Sequence, residues 1–117
     1  MSRDLAPVLS SIDSMDADKF VAHLTPDVVF RFGNGDPVVG REAVKEAVNG
    51  FWTTIAGLTH NVLNAWDVGD TSIAQIEVDY KRLDGKVVTV PNVDILVFDG
   101  ELVREWQIYI DLGPVFA

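Results

Sequence analysis

Apolar positions recur every three or four residues along the first part of the chain and every second residue along its last half. The first spacing marks helices and the second marks strands. Leu5, Val8, Leu9 and Ile12 predict a first helix, with Pro7 tolerated in its opening turn. The stretch SMDADKFVAHLTP predicts a second, short helix. Asp16 is placed to cap it, Phe20, Val21 and Leu24 form its apolar face, and Pro26 follows its end. DVVFRF predicts a strand with Phe30 and Phe32 on one side, and GNGDPVVG reads as loop. REAVKEAVNGFWTTIAG predicts a third helix, with Val44, Val48, Phe51, Trp52 and Ile55 as its buried stripe and Gly57 marking its end.

From Thr59 onward the pattern becomes four strands in a row. Gly69-Asp70, Asp84-Gly85 and Asp99-Gly100 stand at the turns, and such dipeptides between alternating runs signal hairpins. Helices first and an antiparallel meander later predict an α+β fold with the helices on one face of the sheet.

Two-residue loops at the first two turns would set the register. His60 would then pair with Asp79, Val62 with Glu77, Asn64 with Gln75 and Trp66 with Ile73, while Gln75 would in turn face Asp94. One face of the sheet is then mixed, carrying His60, Trp66, Glu77, Asp79, Asn92, Asp94, Leu96 and Phe98. The other is almost wholly apolar and carries Ile76, Val78, Tyr80, Val93, Ile95 and Val97. A single-residue bulge would flip either assignment, so the pattern leaves open which face meets the helices. A bulge in the last hairpin would place Trp106 and Ile108 inside, which buries more apolar surface than the alternative.

The length of 117 residues suits one domain, 1–117, and 48% hydrophobic residues suit a globular core. The absence of cysteine excludes disulfides and thiolate metal sites. Two histidines without ligand spacing predict no metal, and the lack of a nucleophile elbow or a phosphate-cradling loop predicts no cofactor. A net charge of -9 argues against nucleic acid and anionic membranes as partners. No apolar run is long enough for a signal peptide or a membrane span, so a cytoplasmic location is expected.

Two stretches carry a family resemblance. MDADKFVAHLTPDVVFRFGNGDPVVGREAVKEAV resembles the start of SnoaL-like domains, and VDILVFDGELVREWQIYIDL resembles their closing hairpin. These domains belong to the nuclear transport factor 2-like, or ketosteroid-isomerase-like, superfamily. The resemblance implies a cone-shaped, curved antiparallel sheet packed on three N-terminal helices and enclosing a pocket. It also implies that the mixed face is the pocket wall and that the outer face, with Val78, Tyr80, Val93, Ile95 and Val97, forms a homodimer.

In VPNVDILVF, Asp94 takes the position where ketosteroid isomerases carry an acid that donates a hydrogen bond to the substrate oxyanion. That role requires a dry carboxyl with a raised pKa. The same family's general-base Asp is replaced here by Phe32, with Asp36 nearby in a loop. The Asp-Arg-Asp set of limonene epoxide hydrolases is also broken, since Glu77 stands where Arg is needed and Ile108 where the second Asp is needed. On the pocket face, His60 and Asp79 form a candidate acid-base pair, with Glu77 beside them. Phe30, Phe32, Trp52, Trp66, Asn92, Leu96, Trp106 and Ile108 are the candidate substrate contacts, suited to a small apolar or aromatic ligand. The expectation is a cofactor-independent enzyme that transfers protons, of isomerase, cyclase, dehydratase or hydrolase type. The alternative is a non-catalytic module of the same fold that binds a ligand or dimerises.

Overall fold

The computed structural model describes residues 3–117. Helices α1 (Ala6–Asp13) and α2 (Ala17–Val21) lead into strand β1 (Leu24–Phe32). A two-residue strand, β2 (Val38–Val39), and helix α3 (Arg41–Trp52) follow. The meander is β3 (Gly57–Val68), β4 (Thr71–Lys81), β5 (Val87–Asp99) and β6 (Leu102–Ile110), and a short helix α4 (Gly113–Phe116) closes the described chain. Leu5, at the N-cap of α1, and Val8, Leu9 and Ile12 within it are buried as expected, as are Val44, Val48 and Trp52 of α3, whereas Phe51 is half-buried and Ile55 is buried beyond the helix end. Asp16 caps α2 by accepting from the Lys19 N–H at 3.2 Å. Helix α3 ends at Trp52, five residues before Gly57, which opens β3 instead.

All six strands form one sheet in the order β2-β1-β6-β5-β4-β3. The sheet is antiparallel except where β1 runs parallel to β6, pairing Phe30 with Trp106 and Phe32 with Ile108. This pairing brings the first strand against the last and completes the curved, unclosed sheet that the helices cover. At the centre Phe20 of α2, Phe30 of β1 and Trp106 of β6 pack edge to face, with centroids 5.5–6.1 Å apart. That geometry places the positive ring edges on the negative ring faces.

Two local features decide which side chains face inward. Leu63 is an extra residue in β3: Val62 pairs with Ile76, but Asn64 pairs with Gln75. The β4–β5 turn holds three residues, since Arg82 N–H bonds to the Lys86 carbonyl at 2.8 Å and Gly85 N–H to the Arg82 carbonyl at 3.0 Å. Gly85 takes φ +89°, the left-handed position that a three-residue hairpin loop reserves for glycine. The third loop residue shifts the pairing by one, so Ala74 rather than Gln75 lies opposite Asp94.

That shift turns β4 over relative to the two-residue expectation. Ala74, Ile76, Val78 and Tyr80 face the core, and Gln75, Glu77 and Asp79 face out. Val78 and Tyr80 therefore leave the outer face assigned to them, while Val93, Ile95 and Val97 stay on it. In β5 the mixed face does turn inward, burying Asn92, Asp94 and Leu96. A further shift between Val97 and Phe98 puts Trp106 and Ile108 of β6 inside.

Candidate functional site

Between the helices and the concave face lies a cavity of about 230 Å³. Phe20, Phe30, Phe32, Phe51, Trp52, Leu58, Val48, Ile12 and Ile108 supply its apolar wall. His60 and Tyr80 are the lining residues with polar side chains on the strands, and Asp36, with Gly35 and Val38, reaches it from the β1–β2 segment. Asp36 itself is exposed, so it marks the mouth rather than the floor.

His60 is aimed by a residue from another element. Asp13, the last residue of α1, accepts from the His60 backbone N–H at 3.0 Å and meets the ring Nδ1 at 2.5 Å. An ionised carboxylate can only accept, so Nδ1 carries the proton of this contact. Nε2 is then the ring nitrogen left to meet a ligand, the orientation that a carboxylate–histidine pair imposes. The His60 side chain is only 8% exposed, so water screens the pair weakly.

Asp94 lies in the core between its cross-strand partners Ala74 and Ile108 and is 1% exposed. Asn92, two residues back on the same face, donates Nδ2–H to it at 2.7 Å. Burial pushes the Asp94 carboxyl up to about 6. The Asn92 hydrogen bond, the charge of His60 and the Trp106 indole N–H each pull it back. The indole contact falls short of hydrogen-bond geometry: Nε1 is buried without a partner that meets it among the described residues. The Tyr80 hydroxyl is pushed up well above its ordinary pKa by burial first, then by the charges of Asp94 and Asp13. It therefore remains a proton-carrying donor throughout the neutral range.

The cavity gathers some of the expected residues and not others. His60, Phe30, Phe32, Trp52 and Ile108 line it. Asn92, Asp94, Leu96 and Trp106 are buried but are not among its lining residues. Glu77 and Asp79 lie on the outer face, where Asp79 accepts from Asn61 at 3.1 Å and from Thr89 at 2.5 Å. Asp79 therefore does not pair with His60, whose cross-strand partner is Val78. Trp66 is likewise outside and 51% exposed, because it pairs with Ile73 as expected and the three-residue β4–β5 loop turns that face of β4 outward, whereas the Leu63 bulge keeps His60 inside.

Asp13 and Tyr80 were not anticipated. An acid at a helix C-terminus opposes the helix dipole, and that misfit was the available signal for Asp13. Tyr80 continued the apolar stripe Ala74, Ile76, Val78, which the assumed loop length turned outward. Among the described residues no three His, Asp or Glu side chains group to hold a metal ion, and no helix is long and apolar enough to cross a membrane.

The model of the SnoaL-like domain matches residues 8–106. The chain belongs to the SnoaL-like domain family. Solved structures agree on the fold. An NTF2-like protein of unknown function from Burkholderia pseudomallei K96243 superposes with a TM-score of 0.86 at 15% identity, over 96% of this chain and 91% of that one. A ketosteroid isomerase-like protein from Catenulispora acidiphila DSM 44928, in complex with trimethylamine, gives 0.85 at 15% identity, over 93% and 85%. A protein assigned to the SnoaL-like polyketide cyclases, from Jannaschia sp. CCS1, gives 0.79 at 20% identity, over 99% and 94%. No curated protein sequence matches the chain. At these identities the likeness carries the SnoaL-like fold, and the chemistry rests on the site.

Proposed function

We propose that this SnoaL-like domain is a cofactor-independent enzyme that moves protons on a small, largely apolar molecule, in a reaction of isomerase, cyclase, dehydratase or hydrolase type. The observation that carries the reading is His60, on the wall of an apolar cavity with Nδ1 held by Asp13 at 2.5 Å. With Nδ1–H committed, Nε2 takes a proton from a substrate carbon or from water. The Asp13 carboxylate stabilises the imidazolium that results, and Nε2 returns the proton at a second position. Tyr80 donates a hydrogen bond to the substrate oxygen on which negative charge grows, and the dry wall strengthens that bond. Asp94 lies buried behind the wall and is not among its lining residues. The trimethylamine complex of the Catenulispora neighbour supports a small organic molecule as the occupant of such a fold.

A substrate-independent test is base-promoted ring opening of nitrobenzisoxazole. A base removes the ring C–H proton, the nitrile forms, and the N–O bond breaks to leave a coloured cyanophenolate. The wild-type protein should open the ring saturably and faster than free imidazole at equal concentration. A linear dependence no faster than imidazole would favour the non-catalytic binding module.

The reading extends to assembly as a homodimer through the convex face. Val29, Leu63, Trp66, Val93 and Tyr109 are exposed there and form an apolar surface of the kind that monomers rarely leave uncovered. Sedimentation at micromolar concentration should give the mass of two chains, and Trp66→Glu should shift it to one. A wild-type monomer under those conditions would overturn the dimer.

A further inference from the structure

We infer that the cavity selects uncharged molecules of one or two rings, and that Phe51 sets this size limit. This deepens the acid-base reading and rests on it only for the identity of the site. Volume supplies the first constraint. An apolar protein cavity of about 150 Å³ holds benzene, which amounts to about 25 Å³ for each ligand carbon. At that ratio the cavity of about 230 Å³ buries about nine or ten ligand atoms, so a two-ring molecule fits with a small substituent left at the mouth. A fused two-ring frame has ten carbons, whereas a steroid nucleus has seventeen. Pockets for drug-sized ligands start at about 300 Å³. A four-ring molecule would leave most of its apolar surface in water at the mouth and lose the burial that drives binding.

Charge supplies the second constraint. No lysine or arginine is among the residues that line the cavity, and Asp36 stands at its mouth. The only cation that can form on the wall is His60, and Asp13 already neutralises it. A carboxylate ligand would give up its hydration without gaining a counter-ion. The two polar groups on the wall, His60 and Tyr80, instead suit a single hydroxyl or carbonyl oxygen.

Phe51 is where the ring count is fixed. It sits at the end of α3 between Phe32 at 5.0 Å, Tyr80 at 6.1 Å and Phe116 of α4 at 6.5 Å, centroid to centroid. It thus separates the cavity from the surface helix α4. Phe116 is half exposed, so removing the Phe51 ring extends the cavity toward solvent rather than into a packed core.

Calorimetric titration with naphthol, naphthoate, anthrol and androstenedione tests this without any turnover. Naphthol should bind the wild-type protein at least about tenfold more tightly than naphthoate, which has the same two-ring frame but bears a charged substituent. It should also exceed anthrol and androstenedione by at least about the same factor. Phe51→Ala should shift the ratio of anthrol to naphthol affinity about tenfold toward anthrol. Phe51→Leu removes less volume and should fall between, and it serves if the alanine variant does not fold. Wild-type protein that fails to bind naphthol, or that binds androstenedione or naphthoate as tightly, overturns the inference. So does a Phe51→Leu variant with wild-type discrimination against anthrol. Failure of the acid-base reading looks different: naphthol binds as expected, but ring opening does not exceed free imidazole.

Discussion

Asp94→Asn should stabilise the protein at pH 8 and cost it about 1 kcal/mol at pH 4. Burial, the first cause, pushes the Asp94 carboxyl up to about 6 in the fold, above its ordinary 3.8. A raised folded pKa means that the native state holds this proton more tightly than the unfolded chain does. The native state therefore binds more protons between about 4 and 6, and stability falls as pH rises through that window. Above 6 the penalty is complete. Two units at about 1.4 kcal/mol each make it about 3 kcal/mol. Below 4 both states carry the proton and the penalty is gone.

Asparagine cannot ionise, so the variant escapes the loss. Its carbonyl oxygen still accepts from Asn92, which now sits 2.7 Å from Oδ1 of Asp94. The new amide N–H groups need acceptors in the core, which returns about 1 kcal/mol of the gain. The net expectation is about 1–3 kcal/mol at pH 8, or roughly 5–10 °C in Tm for a chain of this size. Urea denaturation of both proteins at the two pH values reads this directly. A variant less stable than wild type at pH 8 would mean that the ionised carboxylate holds the strands together.

The outline of the fold was legible because helical and strand periods are separated along the chain. The stripes of α1 and α3, the Asp16 cap and the three turn dipeptides each carry a local physical signal. Facing was harder, because in a sheet one extra residue reverses every side chain beyond it. The alternation Ala74, Ile76, Val78, Tyr80 was plain in the sequence. Its side was decided by whether the Asp84-Gly85 turn holds two residues or three, and that dipeptide serves both lengths. The Leu63 bulge left no mark that a smooth strand lacks. The turn put Glu77, Asp79 and Trp66 outside and brought Tyr80 in, and the bulge kept His60 inside opposite Val78. Asp94 was legible because a carboxylate amid VPNVDILVF conflicts with its surroundings wherever that strand is buried. The parallel β1–β6 pair and the Asp13–His60 contact join residues 47 or more positions apart, and no local pattern encodes such a meeting.

His60 and Asp13 should behave as one unit in a double-mutant cycle. His60→Gln keeps a polar side chain of similar size but removes the basic nitrogen. It should lower kcat/KM for nitrobenzisoxazole opening by about 10²–10⁴-fold, the range of a positioned general base. The two Asp13 oxygens serve the His60 backbone N–H and Nδ1 separately, and Asp13→Asn keeps one of these acceptors and replaces the other with a donor. It removes the negative charge that faces the imidazolium, so a loss of about 10–100-fold is expected, mostly in kcat. Asp13→Ala removes both acceptors and should also cost about 1–3 kcal/mol of stability, because the buried donors lose their partner. The decisive variant is the double one. Asp13 acts through His60, so adding Asp13→Asn to His60→Gln should change the rate by less than about twofold. Rate losses that multiply would mean that Asp13 reaches the substrate independently. A His60→Gln variant with wild-type rate would place the base at another group and overturn the role given to His60.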